Sequence, residues 1–332
     1  MSDTFQRHLS GFLLDYLPRI RGYSSNTVSS YRDVFVVLLR YLKEVRHIPI
    51  ERISINELGK DAIEGFLLWL SEEKKLSAST CNHRLAVIKS FFRYVGYASP
   101  ELIMQANSIL SIEKKKAGQK YVEYLSLEAV GLILESAAIA DIRQLAVLAL
   151  LYDSGTRVQE VCDLTIKDFH SSRPYTVKVI GKGMKARIIP LTPQSAKILS
   201  AYLKECRSES KCDDPMFLNR DGKALGRAGV AYILNSNVKA AHYVNPEKVP
   251  CSATPHMLRH SKAVHLLEAG VNLVYIRDFL GHSSVSTTEV YARVSPELKR
   301  AALEKAGSKV IKKSRYKAKE KKDLLAWLKE TI

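Results

Sequence analysis

No stretch of this 332-residue chain approaches the ~18 consecutive apolar residues that a membrane-spanning helix needs; the longest near-continuous run is Leu145 to Tyr152. The first residues, with Asp3, Arg7 and His8, lack the charged-then-apolar layout of a signal peptide. Cysteine is sparse: Cys81, Cys162, Cys206, Cys212 and Cys251 are odd in number, scattered, and form no Cys-x-x-Cys pair. That excludes a disulfide framework and a four-cysteine zinc ribbon, and leads us to expect a protein of the reducing cytosol. Internal repeats are missing, and low complexity is confined to a Lys-rich tail. Acidic residues are too few to balance the basic ones: 51 Lys and Arg stand against 34 Asp and Glu, a formal net charge of +17.

The surplus is unevenly placed. Residues 1–110 carry a net +3, whereas 299–332 carry 12 basic and 4 acidic residues. With no acidic run to offset it, this points to a polyanion, and nucleic acid fits better than a membrane surface, since no basic amphipathic helix with aromatic anchors stands apart. The length suggests about two domains.

Residues 1–108 read as helical. After Ser24-Ser25-Asn26, an apolar stripe recurs at Tyr31, Val34, Phe35, Leu38, Tyr41, Leu42 and Val45, and Pro49 closes it. Ile63 to Leu70 forms a second segment. A third starts at Ser79, presents Leu85, Ile88, Phe92 and Val95 on one face, and ends near Gly96; its other face carries Arg84, Lys89 and Arg93, either solvated or placed to meet phosphates. The charged stretch Glu113 to Lys120 lacks apolar periodicity, so 109–120 reads as a linker. Beyond it, Ser126 to Ala138 and Ile142 to Tyr152 read as helices, the latter buried all round. Thr176 to Ile180 and Arg187 to Leu191 read as strands of a hairpin around Gly181-Lys182-Gly183, and helices resume from Ser195.

Four constellations carry chemistry. In Asp153-Ser154-Gly155-Thr156-Arg157-Val158-Gln159-Glu160, Thr156 and Gln159 have capping-box spacing, which puts Arg157 in the first turn of a helix, where free N–H groups already favour an anion. A snorkelling arginine gives the same pattern. Gly181-Lys182-Gly183-Met184-Lys185-Ala186-Arg187 mimics a dinucleotide fingerprint, but strand rather than helix follows, and no Ser or Thr follows the lysine as a P-loop requires. What remains is a tight hairpin whose tip cations Lys182, Lys185 and Arg187 suit a DNA groove. In Thr254-Pro255-His256-Met257-Leu258-Arg259-His260, Thr and Pro set a helix start, and His256 and Arg259 share a face. His256 and His260 have the spacing of a zinc pair, but Met257 replaces the protease glutamate and Arg259 repels a cation, so no metal is expected. In the fourth, Gly281 ends a helix in the left-handed conformation and leaves His282 exposed, while Ser286 and Glu289 cap a short helix holding Tyr291.

The ordered set Gly-x-Arg-x-x-Glu (155–160), Gly-Lys-Gly (181–183), His-x-Leu-Arg-His (256–260), Leu-Gly-His (280–282) and Tyr291 resembles the tyrosine recombinases of the phage integrase and Xer type. Thr27 to Tyr31 and Ser79 to Arg84 are similar to that family's DNA-clamping helices. The resemblance implies a mostly α fold with a small antiparallel β-hairpin or sheet: a helical core-binding domain (1–108), the linker (109–120), an α+β catalytic domain (121–300) closing a C-shaped clamp on double-stranded DNA, and a basic tail (301–332). It assigns Arg157, Lys182, His256, Arg259, His282 and the nucleophile Tyr291 to catalysis, Glu160 to a supporting place, and Thr27, Arg84, Lys89, Arg93, Lys185 and Arg187 to DNA. His256 is expected as the base and Lys182 as the acid.

The implied activity is site-specific recombination through a 3′-phosphotyrosyl intermediate, with no metal, ATP or other cofactor. The implied partners are DNA, a homotetramer on two sites (monomers or dimers when free) and accessory DNA-bending proteins, in a cytoplasmic, nucleoid-associated setting without membrane. Type IB topoisomerase-like nicking and resealing, and a non-catalytic DNA-binding regulator, are the alternatives. In the tail, 309–322 is expected to hug DNA, and 323–332, with Leu324, Leu325, Leu328 and Ile332 on one stripe, to dock on a neighbouring protomer.

Overall fold

The computed structural model describes residues 4–118, 122–181, 184–282, 284, 288, 289 and 291. The chain divides into two compact units, Met1–Lys120 and Tyr121–Ile332. The expected tail helix and the hairpin tip residues Lys182 and Gly183 lie outside the described residues.

The first unit is helical. Helix α1 (Thr4–Ser10) runs into a wide π-type helix (Gly11–Ile20), followed by α2 (Ser25–Glu44), α3 (Lys60–Glu72), α4 (Ala78–Ala98) and α5 (Ile103–Leu110). Helices α2 and α4 start where a serine can cap them: Ser24 Oγ accepts from the Thr27 amide, and Ser77 Oγ from that of Thr80. The α2 stripe is buried at Val34, Phe35, Leu38, Tyr41 and Leu42, but Val45 caps the C-terminus and is exposed, because the helix stops well before Pro49. Phe12, Phe35 and Phe91 meet edge to face with centroids 5.1–6.3 Å apart and form the centre of the core.

Gly96 does not end α4. The helix runs on to Ala98, and the glycine lets α5 approach: a Cβ there would lie 3.3 Å from that of Ala106. Helix α5 also overruns the linker start expected at 109, and Ile112 is buried in this core.

In the second unit, α6 (Leu127–Ala140) and α7 (Ile142–Asp153) meet at Asp141, whose Oδ1 accepts from the Gln144 amide at 2.7 Å and starts α7. Every residue from Ala146 to Leu151 is buried, as a helix apolar all round requires. After the short α8 (Val158–Cys162) come strands β1 (Phe169–His170), β2 (Thr176–Ile180) and β3 (Ala186–Pro190), antiparallel in the order β1-β2-β3. Val177, Val179 and Ile189 face inward. Helices α9 (Pro193–Cys206), α10 (Arg227–Val244), α11 (Pro255–Glu268) and α12 (Leu273–Leu280) complete the unit; Ala263 and Val264 of α11 and Ile276 and Leu280 of α12 bury with Tyr291 in a second, smaller cluster beside the main core. Among the described residues no helix is long and apolar enough to cross a membrane.

Candidate active site

The site is organised by the start of α11. Thr254 Oγ1 accepts from the Met257 amide and Pro255 takes the first helical position, so His256, Arg259 and His260 emerge from the first two turns. Arg259 is only 1% exposed. Its Nη1 donates to the Gly155 carbonyl and its Nη2 to that of Leu280, each at 2.7 Å. A guanidinium has five N–H donors, and bonds among the described residues engage two of them. Burial, and then the charge of Arg157, lower the Arg259 pKa to about 10.

Both backbone turns that accept from Arg259 depend on glycine. Gly155 has φ of 55° and Gly281, which ends α12, has φ of 67°. A Cβ on Gly155 would sit 2.9 Å from Leu280 Cδ2, and one on Gly281 2.9 Å from Arg187 Nη1.

Arg157 lies one residue earlier in its helix than the Thr156–Gln159 spacing suggests. It is the N-cap of α8, and the reciprocal partner is Glu160, whose Oε2 accepts from the Arg157 amide at 2.8 Å. Thr156 instead bonds Ser154. Arg157 Nη1 donates to Glu160 Oε1 (2.9 Å) and Nη2 to the Gly281 carbonyl (3.2 Å), with the side chain 38% exposed. Arg187 grips the same carboxylate: Nη1 donates to Oε1 at 3.0 Å and Nη2 to Oε2 at 2.7 Å. Burial alone would push the Glu160 carboxyl up, but the bonds from Arg187 and Arg157 outweigh it and hold the group below the ordinary carboxylate value.

Tyr291 is buried, with its Oη 2.7 Å from His260 Nδ1. A neutral imidazole carrying its proton on Nε2 accepts this phenolic O–H. The His256 ring packs edge to face on His260 at 4.3 Å between centroids, and the His282 ring stacks on Tyr291 at 6.3 Å. His282 Nδ1 lies 3.0 Å from Thr288 Oγ1, so His282 is half-buried, not exposed beyond the helix end as the sequence suggested. Burial first, and then the neighbouring cationic and imidazole groups, depress His260 and His282 to about 4. His256 is lowered by burial, Arg259 and Arg157. Burial raises the Tyr291 pKa, against the pull of Arg259 and Arg157.

The structure therefore brings Arg157, Glu160, His256, Arg259, His282 and Tyr291 together. It adds His260, whose place against Tyr291 the sequence reading passed over in rejecting a metal pair. Among the described residues, no group of three or more His, Cys, Asp and Glu side chains converges in a way that could hold a metal. Arg187 is not a tip cation: on β3 it pairs in register with buried Val179 and is turned to Glu160. Lys185 is exposed on the hairpin, and its carbonyl accepts from the Gly181 amide at 2.9 Å.

A second buried pair went unread in the sequence. Lys262 Nζ donates to Asp153 Oδ1 at 3.0 Å, and Asp153 Oδ2 accepts from the Thr192 amide, tying the ends of α7 and α9 to α11. Of the expected DNA contacts in the first unit, Arg93 is exposed, Arg84 half-buried, and Thr27 sits in the α2 cap with its Oγ1 3.0 Å from that of Ser24. The Lys89 ammonium donates to the carbonyls of Leu110 and Ile112 and closes the end of α5.

Residues 123–297 match the phage integrase family, and residues 12–96 match the N-terminal SAM-like domain of phage integrases. Tyrosine recombinase XerD of Oceanobacillus iheyensis is 33% identical over 281 residues, covering 83% of this chain and 90% of that protein. Among solved structures, the XerH site-specific recombinase bound to its palindromic difH substrate superposes with a TM-score of 0.66 at 23% identity, covering 89% of this chain and 84% of that one. The Tn1549 transposon integrase in complex with transposon right end DNA gives 0.69 at 18% identity, with 90% and 99% covered. The two structures are alike to this chain in fold.

Proposed function

The chain belongs to the phage integrase family of tyrosine recombinases, and from that premise we propose that it cuts and rejoins duplex DNA at specific sites through a 3′-phosphotyrosyl intermediate. One observation carries the reading: a buried tyrosine hydroxyl rests on a histidine beside two arginines, Arg157 and Arg259, that retain unused donors. This is an anion socket with a nucleophile in it.

In the proposed step, Tyr291 Oη attacks the scissile phosphorus, and the bond from phosphorus to the 5′-oxygen breaks. The phenolic proton passes to His260, which replaces His256 as the base in this proposal because it is the ring in contact with the Tyr291 hydroxyl, and Lys182 supplies a proton to the leaving oxygen. Arg157 and Arg259 hold the non-bridging oxygens and oppose the charge that grows on them. His256 and His282 donate to the same phosphate. The new phosphotyrosyl ester retains the energy of the broken diester, so the 5′-hydroxyl of a partner duplex reverses the reaction without ATP. Strand exchange between two sites in a tetramer follows from that reversal. Accessory bending proteins and a trans-docking segment at 323–332 complete the proposal, and DNA contacts at Thr27, Arg84, Arg93 and Lys185 belong to it.

The test is covalent trapping on nicked duplexes that lose the 5′-hydroxyl fragment. The wild-type chain should form a protein–DNA adduct mapping to Tyr291, and Tyr291→Phe should bind DNA without forming one. An adduct that persists in Tyr291→Phe reassigns the nucleophile. Relaxation of supercoils without exchange between duplexes would favour the topoisomerase-like activity.

A further inference from the structure

Three successive carbonyls at the end of α12 are each held by a different arginine. Phe279 accepts from Arg187 Nε (3.3 Å), Leu280 from Arg259 Nη2 (2.7 Å) and Gly281 from Arg157 Nη2 (3.2 Å). The last carbonyls of a helix have no partner within it and sit at its negative pole, so cations bind there favourably. Two of these arginines have the proposed work of holding phosphate. The third does not face outward, since its side chain is 15% exposed and both ends of its fork are taken by Glu160.

Arg187 also sits between two glycines. A Cβ on Gly181 would lie 3.2 Å from its Nη1, and one on Gly281 2.9 Å from the same atom. Gly181 directly precedes Lys182, and Gly281 directly precedes His282. One guanidinium thus touches the backbone immediately before two residues of the proposed machinery, while gripping the carboxylate that orients a third, Arg157. A buried guanidinium is costly unless fully paired, and here the pairing joins three separate segments.

We propose that Arg187 is a positioning residue for strand cleavage: it ties the β2–β3 hairpin, Glu160 and the last turn of α12 into one unit and so sets where Arg157 and His282 meet the phosphate. The inference rests on the recombinase reading above. Lysine replaces it only in part, because a point charge lacks the planar fork that spans both carboxylate oxygens.

The test uses the full chain on a trapped duplex, measuring DNA affinity separately from the single-turnover rate of adduct formation at saturating DNA, across pH. Arg187→Met should leave affinity unchanged while the saturated rate falls on the order of 10²-fold, the cost of small misplacements in a reacting geometry. Arg187→Lys should recover part of that loss. The acidic limb of the rate–pH profile should move to higher pH in Arg187→Met, because Glu160 loses the two Arg187 bonds that help to keep it ionised; a loss of folded protein alone would not move it. Wild-type rates and profile in Arg187→Met overturn the proposal, as does a saturated rate that holds while affinity drops, which would make Arg187 a DNA contact. If Arg187→Met does not fold, Arg187→Lys decides: a wild-type rate and profile overturn the idea, and a lower rate with the acidic limb moved to higher pH supports it. A wild-type chain that forms no adduct on any DNA overturns the recombinase reading and this inference with it.

Discussion

Replacing His260 by alanine removes the acceptor that lies 2.7 Å from the Tyr291 hydroxyl. In the free chain, His260 is a neutral base with a pKa of about 4, facing a phenol raised above its usual 10. A gap of more than about six pH units makes proton transfer uphill by roughly 8 kcal/mol, so the unbound site holds its nucleophile protonated. A phosphate beside Arg259 neutralises one of the charges that hold the histidine down, and the growing charge of the transition state raises the imidazole further. General-base catalysis of this kind is worth roughly 10²–10⁴-fold, and that is the loss expected in the adduct-forming rate of His260→Ala. The same change leaves a buried hydroxyl without its partner, at about 1–3 kcal/mol of stability, measurable by denaturant titration. His256→Ala removes a ring packed on His260 but not the acceptor itself, so its rate should fall less. The assay is single-turnover trapping of both variants at saturating DNA. If His260→Ala cleaves at the wild-type rate while His256→Ala does not, His256 takes the proton and the contact seen here breaks on binding.

Lys182→Ala should slow cleavage of a normal phosphodiester far more than of a duplex with a 5′-thiolate leaving group, which barely needs an acid; equal slowing would mean that Lys182 positions DNA and gives no proton. Adduct formation should persist in excess chelator, since the proposed chemistry takes its cations from side chains; loss in EDTA with recovery in magnesium would contradict it. Gly281→Ala should lower the melting temperature and the cleavage rate together, because the left-handed backbone costs a Cβ about 1–2 kcal/mol and that Cβ would meet the Arg187 guanidinium; wild-type behaviour would mean the turn can relax. The depressed histidines also set a pH dependence. Their folded pKa near 4 lies below the unfolded value near 6.5, so the unfolded chain binds more protons between those limits and stability should fall as pH drops from about 6.5 toward 4. A melting temperature that does not change between pH 7 and 5 would refute that.

Legibility in the sequence followed the range of the interaction. Periodicity and end signals are local, and they place α2, α7 and α11 well: Ser24, Asp141 and Thr254 each cap the helix they precede. The helix end expected near Gly96 falls two residues on, at Ala98, and the glycine itself serves close packing against α5. The one-residue shift at Arg157 has a similar origin: two capping patterns overlap in Thr-Arg-Val-Gln-Glu, and Glu160 prevails because Arg187, 27 residues on, fixes its carboxylate. Nothing local marks Arg187 or Lys262 as inward-facing, since a cation turns inward only when a distant carboxylate awaits it. His260 was visible as a motif letter, but its role depends on where Tyr291 folds back, 31 residues later.

Burial first, and then the charges of the assembled site, explain why its histidines are neutral. Among the described residues of the site, Arg157, Arg187 and Arg259 stand against one carboxylate, Glu160. That leaves a surplus of two positive charges around buried imidazoles, and a further proton there is resisted. A diester phosphate brings one negative charge, and a five-coordinate phosphorus flanked by an attacking and a leaving oxygen brings about one more. That positive surplus attracts the more highly charged transition state more strongly than the bound substrate, which is the condition for accelerating a reaction rather than merely binding its substrate. Glu160 tunes that balance: a second carboxylate would halve the excess, and none would leave Arg157 and Arg187 to repel each other. The end of α12 spreads the load across three carbonyls, so the positive charge stays fixed in place before DNA arrives, and preorganised charge needs no rearrangement at the moment of reaction.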